Sequence, residues 1–213
     1  MSHFSDFHAH CRLDHFTEND LKTFFSGKDG VFLQNFVARG IRSAKMIRVK
    51  RGVYLFSPEW SVGQRSLFSL ANVLVQPSYV SFESALSFHG LIPEAVPVTI
   101  SACAQRRQKE FQTQAGVFSF HHIPCASFFD GVFRDAERHA LIAHPVRAIF
   151  DFCYTRRKGY TSLDELDQDL RIDHETLLAQ VGQLPREEME ALAVSYRRRN
   201  IMELAAWLGE YAR

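Results

Sequence analysis

Between positions 31 and 58 the chain has no acidic residue, although Arg39, Arg42, Lys45, Arg48, Lys50 and Arg51 all fall in that interval. Other absences narrow the function further. The four cysteines, Cys11, Cys103, Cys125 and Cys153, form no CxxC pair and sit mostly beside apolar residues, which points to reduced thiols in a cytoplasm. No apolar run approaches the ~20 residues of a membrane span, and Met1-Ser2-His3-Phe4 does not begin a signal peptide, so a soluble, cytoplasmic protein without a membrane partner is expected. The phosphate-binding GxxxxGK[ST] and GxGxxG and the nucleophile-bearing GxSxG are missing. Residues 98–104 (VTISACA) lack the acid, spacer, acid-or-lysine pattern of a metal-dependent nuclease strand. No repeat or low-complexity tract is present. A non-enzyme with no cofactor is favoured.

What remains is 213 residues, 46% of them hydrophobic, enough for one large domain or two small ones. The net charge of +1 conceals a gradient. Residues 1–60 hold nine Lys/Arg against six Asp/Glu, leaving sixteen against eighteen, and in residues 164–190 nine acids face only Arg171 and Arg186.

Residues 6–16 (DFHAHCRLDHF) suggest a helix that turns Phe4, Phe7, Cys11 and Leu13 inward. Thr17, with Asp20 three residues on, caps a second helix carrying Leu21, Phe24 and Phe25. Residues 30–56 (GVFLQNFVARGIRSAKMIRVKRGVYLF) follow. Val31, Phe32, Phe36 and Val37 have the spacing of an amphipathic helix expected to stop at Gly40, and two apolar runs flank Lys50-Arg51-Gly52 as a hairpin. Helix, helix, helix, strand, wing, strand is the order of a winged helix-turn-helix, placed at residues 1–58 and closed by the Ser57-Pro58 break. Residues 59–213 read as a mixed α/β domain, giving an α+β chain. Its expected elements are a helix between Ser66 and Gln76-Pro77, a short helix at 82–88, strands at 96–103 and 117–123, and a polar RRQKE loop between them. A helix then opens at Pro145, and a helical tail spans 161–213, beginning with a capping box at Ser162.

A helix ending beside a basic hairpin suits double-stranded DNA, whose phosphates need cations and whose major groove displays a distinct pattern at each base pair. Gln34, Asn35 and Arg39 are the candidate base readers, because Gln and Asn pair bidentately with adenine and Arg with guanine. Arg42, Ser43, Lys45 and Arg48 are candidate DNA contacts between helix and hairpin. Lys50 and Arg51, at the loop, would reach the backbone or the minor groove. Other clusters have plainer readings. His8, His10, Cys11 and His15 are metal-ligand types but lack a second paired cluster, so no metal is assigned. His121 and His122 alternate in direction, and nothing pairs His121 with Cys103 or Cys125 as base and nucleophile. Arg106, Arg107 and Lys109 form either a solvated loop or a second contact surface, as do Arg197, Arg198 and Arg199.

Four stretches resemble the AbiEi family of antitoxins and transcriptional regulators of bacterial type IV toxin-antitoxin systems. They are the helix with VKRGVYLF, then YVSFESALSFHGLIPEAVPVTISA, GVFSFHHI, and ALIAHPVRAIFDFCY. The second is the most specific, because a short helix ending in HGLI-x-E leads into a V-x-V-T-I strand. Where the family tends to start its late helix with Pro-Glu-Lys-Ala, this chain has Pro145-Val146-Arg147-Ala148, which keeps the cation and loses the acid. The resemblance implies a winged-helix N-terminus and a C-terminal antitoxin domain. It also implies a repressor that occupies repeats in its own promoter and counters a nucleotidyltransferase-type toxin without a stable complex. The competing readings are a stand-alone regulator with no toxin, and a protein-interaction module with residues 162–213 as interface. The last should expose an apolar patch.

Overall fold

The computed structural model describes residues 3–63, 65–93 and 96–212, and its elements form an α+β fold with two sheets. Met1, Ser2 and the Glu94 of HGLI-x-E lie outside the described residues. The first unit consists of α1 (His3–His10), β1 (His15–Thr17), α2 (Glu18–Phe24), α3 (Gly30–Arg42), β2 (Met46–Lys50) and β3 (Val53–Phe56). The helices and hairpin follow the expected order, but the first helix stops at His10 instead of running to residue 16; it buries Phe4 and Phe7 as expected, whereas Cys11 and Leu13 are half-buried outside it. Strand β1 is additional; it pairs antiparallel with β3, from His15 opposite Leu55 to Thr17 opposite Val53, so the sheet order is β1-β3-β2. Three residues are too few to show a period in sequence. Thr17 ends β1 and caps α2: its hydroxyl accepts from the Asp20 N–H at 3.2 Å, and the Asp20 carboxylate accepts from the Thr17 N–H at 2.7 Å.

Helix α3 departs from its sequence reading in two places. It does not stop at Gly40 but continues to Arg42, with Gly40 buried. A Cβ there would lie 2.4 Å from Met46 Cε, so the glycine lets β2 pack closely against the helix rather than ending it. Val31 is 64% exposed, and Leu33 takes the expected core position beside Phe36 and Val37. The inward side meets Phe4, Phe7, Phe16, Phe25 and Phe56 in an aromatic core with tilted and edge contacts such as Phe25–Phe36 at 4.9 Å and Phe7–Phe16 at 5.0 Å.

The second unit is a six-stranded mixed sheet in the order β6-β7-β5-β4-β9-β8. Its elements are α4 (Leu67–Leu74), β4 (Ser78–Val80), α5 (Phe82–Phe88), β5 (Val98–Cys103), β6 (Lys109–Thr113), β7 (Gly116–His122), β8 (Val132–Asp135), β9 (Ala140–Ala143) and α6 (Pro145–Arg156). The tail is helical as expected: α7 (Leu163–Leu170), α8 (His174–Val181), α9 (Arg186–Ser195) and α10 (Arg199–Leu208). The sequence reading lacked β4, β6, β8 and β9. The RRQKE stretch is not wholly a loop, since Lys109 and Glu110 begin β6, paired with β7. Glu165, expected to complete a capping box with Ser162, reaches back one residue further to the Thr161 N–H at 2.8 Å. All four cysteines are free, and no helix among the described residues is long and apolar enough to cross a membrane.

Arg147 and Asp151, one turn apart on α6, are both fully buried. The Asp151 carboxylate accepts from Tyr79 Oη (2.9 Å), Ser81 Oγ (2.6 Å) and Tyr196 Oη (2.6 Å). Arg147 donates to Tyr79 Oη at 2.9 Å and to the carbonyls of Ser127, Asp130 and Phe128, with its Nε 3.5 Å from Asp151. Burial pushes the Asp151 carboxyl above its ordinary value, while Arg147 and the three hydroxyls pull it back. Three O–H groups thus donate into the carboxylate, and the arginine stands beside it as counter-charge. The network joins the sheet, the start of α5, the 127–130 segment and the end of α9. Phe82, next to Ser81, has a left-handed backbone (φ 54°), a conformation that costs on the order of 1–3 kcal/mol in a non-glycine residue and persists only where its surroundings impose it.

The two units meet along β3 and around β1. His15 Nε2 lies 3.2 Å from Ser69 Oγ on α4, and the buried Asp14 carboxylate accepts from Ser61 Oγ and the Val62 N–H. Burial lowers the His15 imidazole to about 4; Asp20 and Asp14 oppose the shift and His139 adds to it.

Replacing Arg147 with Met or Asp151 with Ala leaves the other charge buried without its partner, and each is expected to cost roughly 3–5 kcal/mol in urea unfolding. A loss under about 1 kcal/mol would show that the pair carries no such role. His15 gives a second expectation. The unfolded chain takes up a proton near 6.5 and the folded one only near 4, so the stability this residue contributes is complete above about pH 6.5 and fades as pH falls toward 4. From about pH 7.5 to about pH 5 the protein should lose about 2 kcal/mol more than its His15→Gln variant. Equal losses would place the acid sensitivity elsewhere.

Candidate nucleic-acid interface

Helix α3 begins at Asp29, whose carboxylate accepts from the Phe32 N–H at 2.7 Å, and ends in a turn carrying Arg39 and Arg42. With Leu33, Phe36, Val37 and Gly40 buried, the exposed side carries Val31, Gln34, Asn35, Ala38, Arg39, Ile41 and Arg42. Gln34, Asn35 and Arg39 therefore all reach solvent. A hollow of about 420 Å³ runs along one flank, lined by Asn35, Arg39, Ser43 and Lys45 with His3 and Phe4. The other flank has a hollow of about 440 Å³ lined by Gln34, Ala38, Arg48 and Arg51 with Glu18 and Lys22. The fold thus divides eight of the nine sequence-derived candidates around one helix: Arg42 on its outward side, Asn35, Arg39, Ser43 and Lys45 toward one hollow, and Gln34, Arg48 and Arg51 toward the other.

The cations differ in freedom. Among the described residues no carboxylate is ion-paired with Arg39, Arg42 or Arg48. Arg48 stands over the Tyr54 ring at 5.8 Å. Arg51 is exposed beside Gly52, whose φ of 78° turns the hairpin loop, and Glu18 near it is paired with Lys22 at 2.8 Å. Lys45 lies over the rings of Trp60 (4.5 Å) and Phe4 (4.9 Å), which holds its ammonium at the edge of the aromatic core.

Lys50 is the ninth candidate, and it leaves the set. Its Nζ donates to the Leu74 carbonyl at the end of α4 and lies 5.9 Å from the Phe111 ring, so it faces the second unit. Burial, with Lys109 nearby, lowers its pKa. The sequence could not signal this, because a basic residue next to a hairpin loop reads as a solvated tip. The reading also passed over Val31 and Ile41 (38% exposed) as parts of the outward surface; the signal was the buried i, i+3, i+4 frame of Leu33, Phe36 and Val37, which turns residue 31 outward.

The remaining clusters find separate partners. His8 bonds the Trp60 carbonyl at 2.8 Å while His15 bonds Ser69. Cys103 Sγ lies against the Gln105 carbonyl and Cys125 Sγ against Ser195 Oγ, so neither thiol uses His121, which sits 3.2 Å from Ser119 Oγ with its ring on Phe82. Arg147, the cation at the late helix start, is in the core rather than on a surface. A cleft of about 720 Å³ in the second unit is lined by Val98 and Ile100 together with Glu83, Arg156 and Lys158, with Lys158 already paired to Asp169.

No protein-family model matches the chain, and no curated protein does. Among solved structures it is similar to the crystal structure of the RV2827C protein from Mycobacterium tuberculosis, at 14% identity and a TM-score of 0.47, covering 96% of this chain and 78% of that one.

Lys50→Met keeps the side chain's length and removes its donor, leaving the Leu74 carbonyl without this partner. It is expected to lower stability by about 1–3 kcal/mol in urea unfolding, whereas Arg51→Met should stay within about 0.5 kcal/mol of the parent. Two variants of equal stability would return Lys50 to the solvated loop.

Proposed function

We propose that the first unit is a winged helix-turn-helix, with α3 its recognition helix and the β2–β3 loop its wing, and that the protein is a sequence-specific repressor of its own operon. The observation that carries this reading is an acid-free outward surface on α3 that brings amide and guanidinium side chains together with Arg42, Arg48 and Arg51. In the major groove Gln34, Asn35 and Arg39 would pair with base edges, each good bidentate contact contributing about 1–3 kcal/mol of discrimination. The surrounding cations would neutralise phosphates and set register. Paired half-sites would bring more than one copy onto the duplex and so block polymerase. The resemblance of four stretches to the AbiEi family supports the further reading of a cytoplasmic antitoxin that opposes a nucleotidyltransferase-type toxin without holding it in a stable complex. No cofactor or catalytic group is assigned.

Gel shifts on the duplex upstream of its own reading frame, at several salt concentrations, test the DNA reading. Arg42→Ala, Arg48→Ala and Arg51→Ala should each weaken binding to all sequences alike and flatten the log–log salt slope by about 1, while Lys50→Met leaves the slope unchanged. Salt slopes equal to the parent's in all three arginine variants would remove this surface from the interface. Co-expression with the neighbouring reading frame tests the antitoxin reading: growth restored by the full chain supports it.

A further inference from the structure

Resting on the DNA reading above, we propose that Val31 and Ala38 are specificity residues that read the 5-methyl groups of thymines, so that the recognised sequence has thymine at its centre. Soluble proteins commonly expose single apolar side chains, and neither residue alone would call for explanation. Their placement is what matters. At 100° per residue Val31 and Ala38 stand two turns apart on the crest of α3, with Asn35 and Arg42 between and beyond them. Val31 is 64% exposed on a helix whose inward frame is complete without it. Gln34 and Ala38 look toward the Arg48 and Arg51 flank, Asn35 and Arg39 toward the Ser43 and Lys45 flank.

Charge complementarity chooses the occupant. Cations border the crest on both sides, the Asp29 carboxylate is engaged at the helix start, and from position 31 to the end of the hairpin no acid intervenes. A protein partner would need an acidic rim to match; a DNA groove has one along both walls. Within the groove the chemistry of the crest is selective. Cytosine offers an N4 amino donor, which calls for Glu or Asp, and α3 has neither. The amides of Gln34 and Asn35 suit adenine, and the adenine of each A·T pair sets a thymine methyl on the partner strand within the same groove. Val31 and Ala38, beside those amides, supply the apolar contact such a methyl accepts. Two turns of helix span about 10 Å, about three base-pair steps, so the two residues would meet different base pairs.

The test uses the full chain and random 20-bp duplexes, with selected sites then resynthesised with uracil in place of each thymine in turn. Uracil keeps every hydrogen-bonding group and removes only the methyl. The expected result is a selected core containing A·T pairs, at which one or two uracil replacements weaken binding about fourfold each. Val31→Ser, at a solvent-exposed position, should weaken binding to the thymine duplex and make it indifferent to uracil at one position, while keeping the parent's salt slope. Selection of a defined site that tolerates uracil throughout overturns the methyl contact and leaves the DNA reading standing. Failure to retain any duplex, even at low salt, overturns the DNA reading itself and returns Val31 and Ile41 to a protein-docking face.

Discussion

In a strand, neighbouring side chains point to opposite faces, so four consecutive buried residues, Val53 to Phe56, require a core on each side of β3. Both cores are present. Tyr54 and Phe56 enter the aromatic core beneath α3, while Val53 and Leu55 belong to the large core of the second unit. As the middle strand of its small sheet, β3 is paired on both edges, by β1 and β2. It is therefore a shared wall, and the sequence break at Pro58 marks the end of that wall rather than a flexible joint. The outward face of α3 is placed relative to the second unit by this packing. Lys50 at one end of the hairpin and His15 on β1 add polar bonds to α4 along the same seam.

The second unit needs its own anchor, because its sheet mixes parallel and antiparallel neighbours and most of its contacts are remote in sequence. Arg147 and Asp151 supply it. Buried charges are unfavourable unless each is satisfied, and here the arginine meets three backbone carbonyls and a phenol while the carboxylate meets three hydroxyls. Such a network tolerates one arrangement of β4, α5, α6 and α9, and so fixes the helical tail against the sheet that bears β3's other face. At the helix start Arg147 turns into the core and meets Asp151 one turn later.

What could be read from the chain follows from the range of each signal. Caps and amphipathic periods are local, so the helices at Thr17, Ser66, Pro145 and throughout the tail were legible, as was the hairpin around Gly52. Strands β1 and β4 have only three residues and are defined by partners far along the chain, which no local pattern encodes, while β8 and β9, four residues each, pair with one another across a short connection but are too short to show a period. Gly40 looked like a helix stop because a glycine's usual use is conformational; its use here is steric, against Met46. In the candidate interface, residue type and charge sign were legible and direction was not. Eight cations and polar residues gather about α3, whereas Lys50 turns into the seam because the second unit, invisible at positions 46–56, presents it with a carbonyl.

Direction also governs how a chain with a net charge of only +1 could engage a polyanion. The exposed acids of α7, α8 and the start of α9 belong to the large unit, and the unpaired arginines of α3 and the hairpin to the small one. Fields of opposite sign on one rigid body leave little attraction averaged over orientations, but they favour approach by the α3 face and disfavour approach by the tail. Because β3 is a shared wall, the separation of charge is fixed and not a fluctuation between two tethered domains. On the proposed DNA reading, an encounter would begin in the orientation that base readout requires.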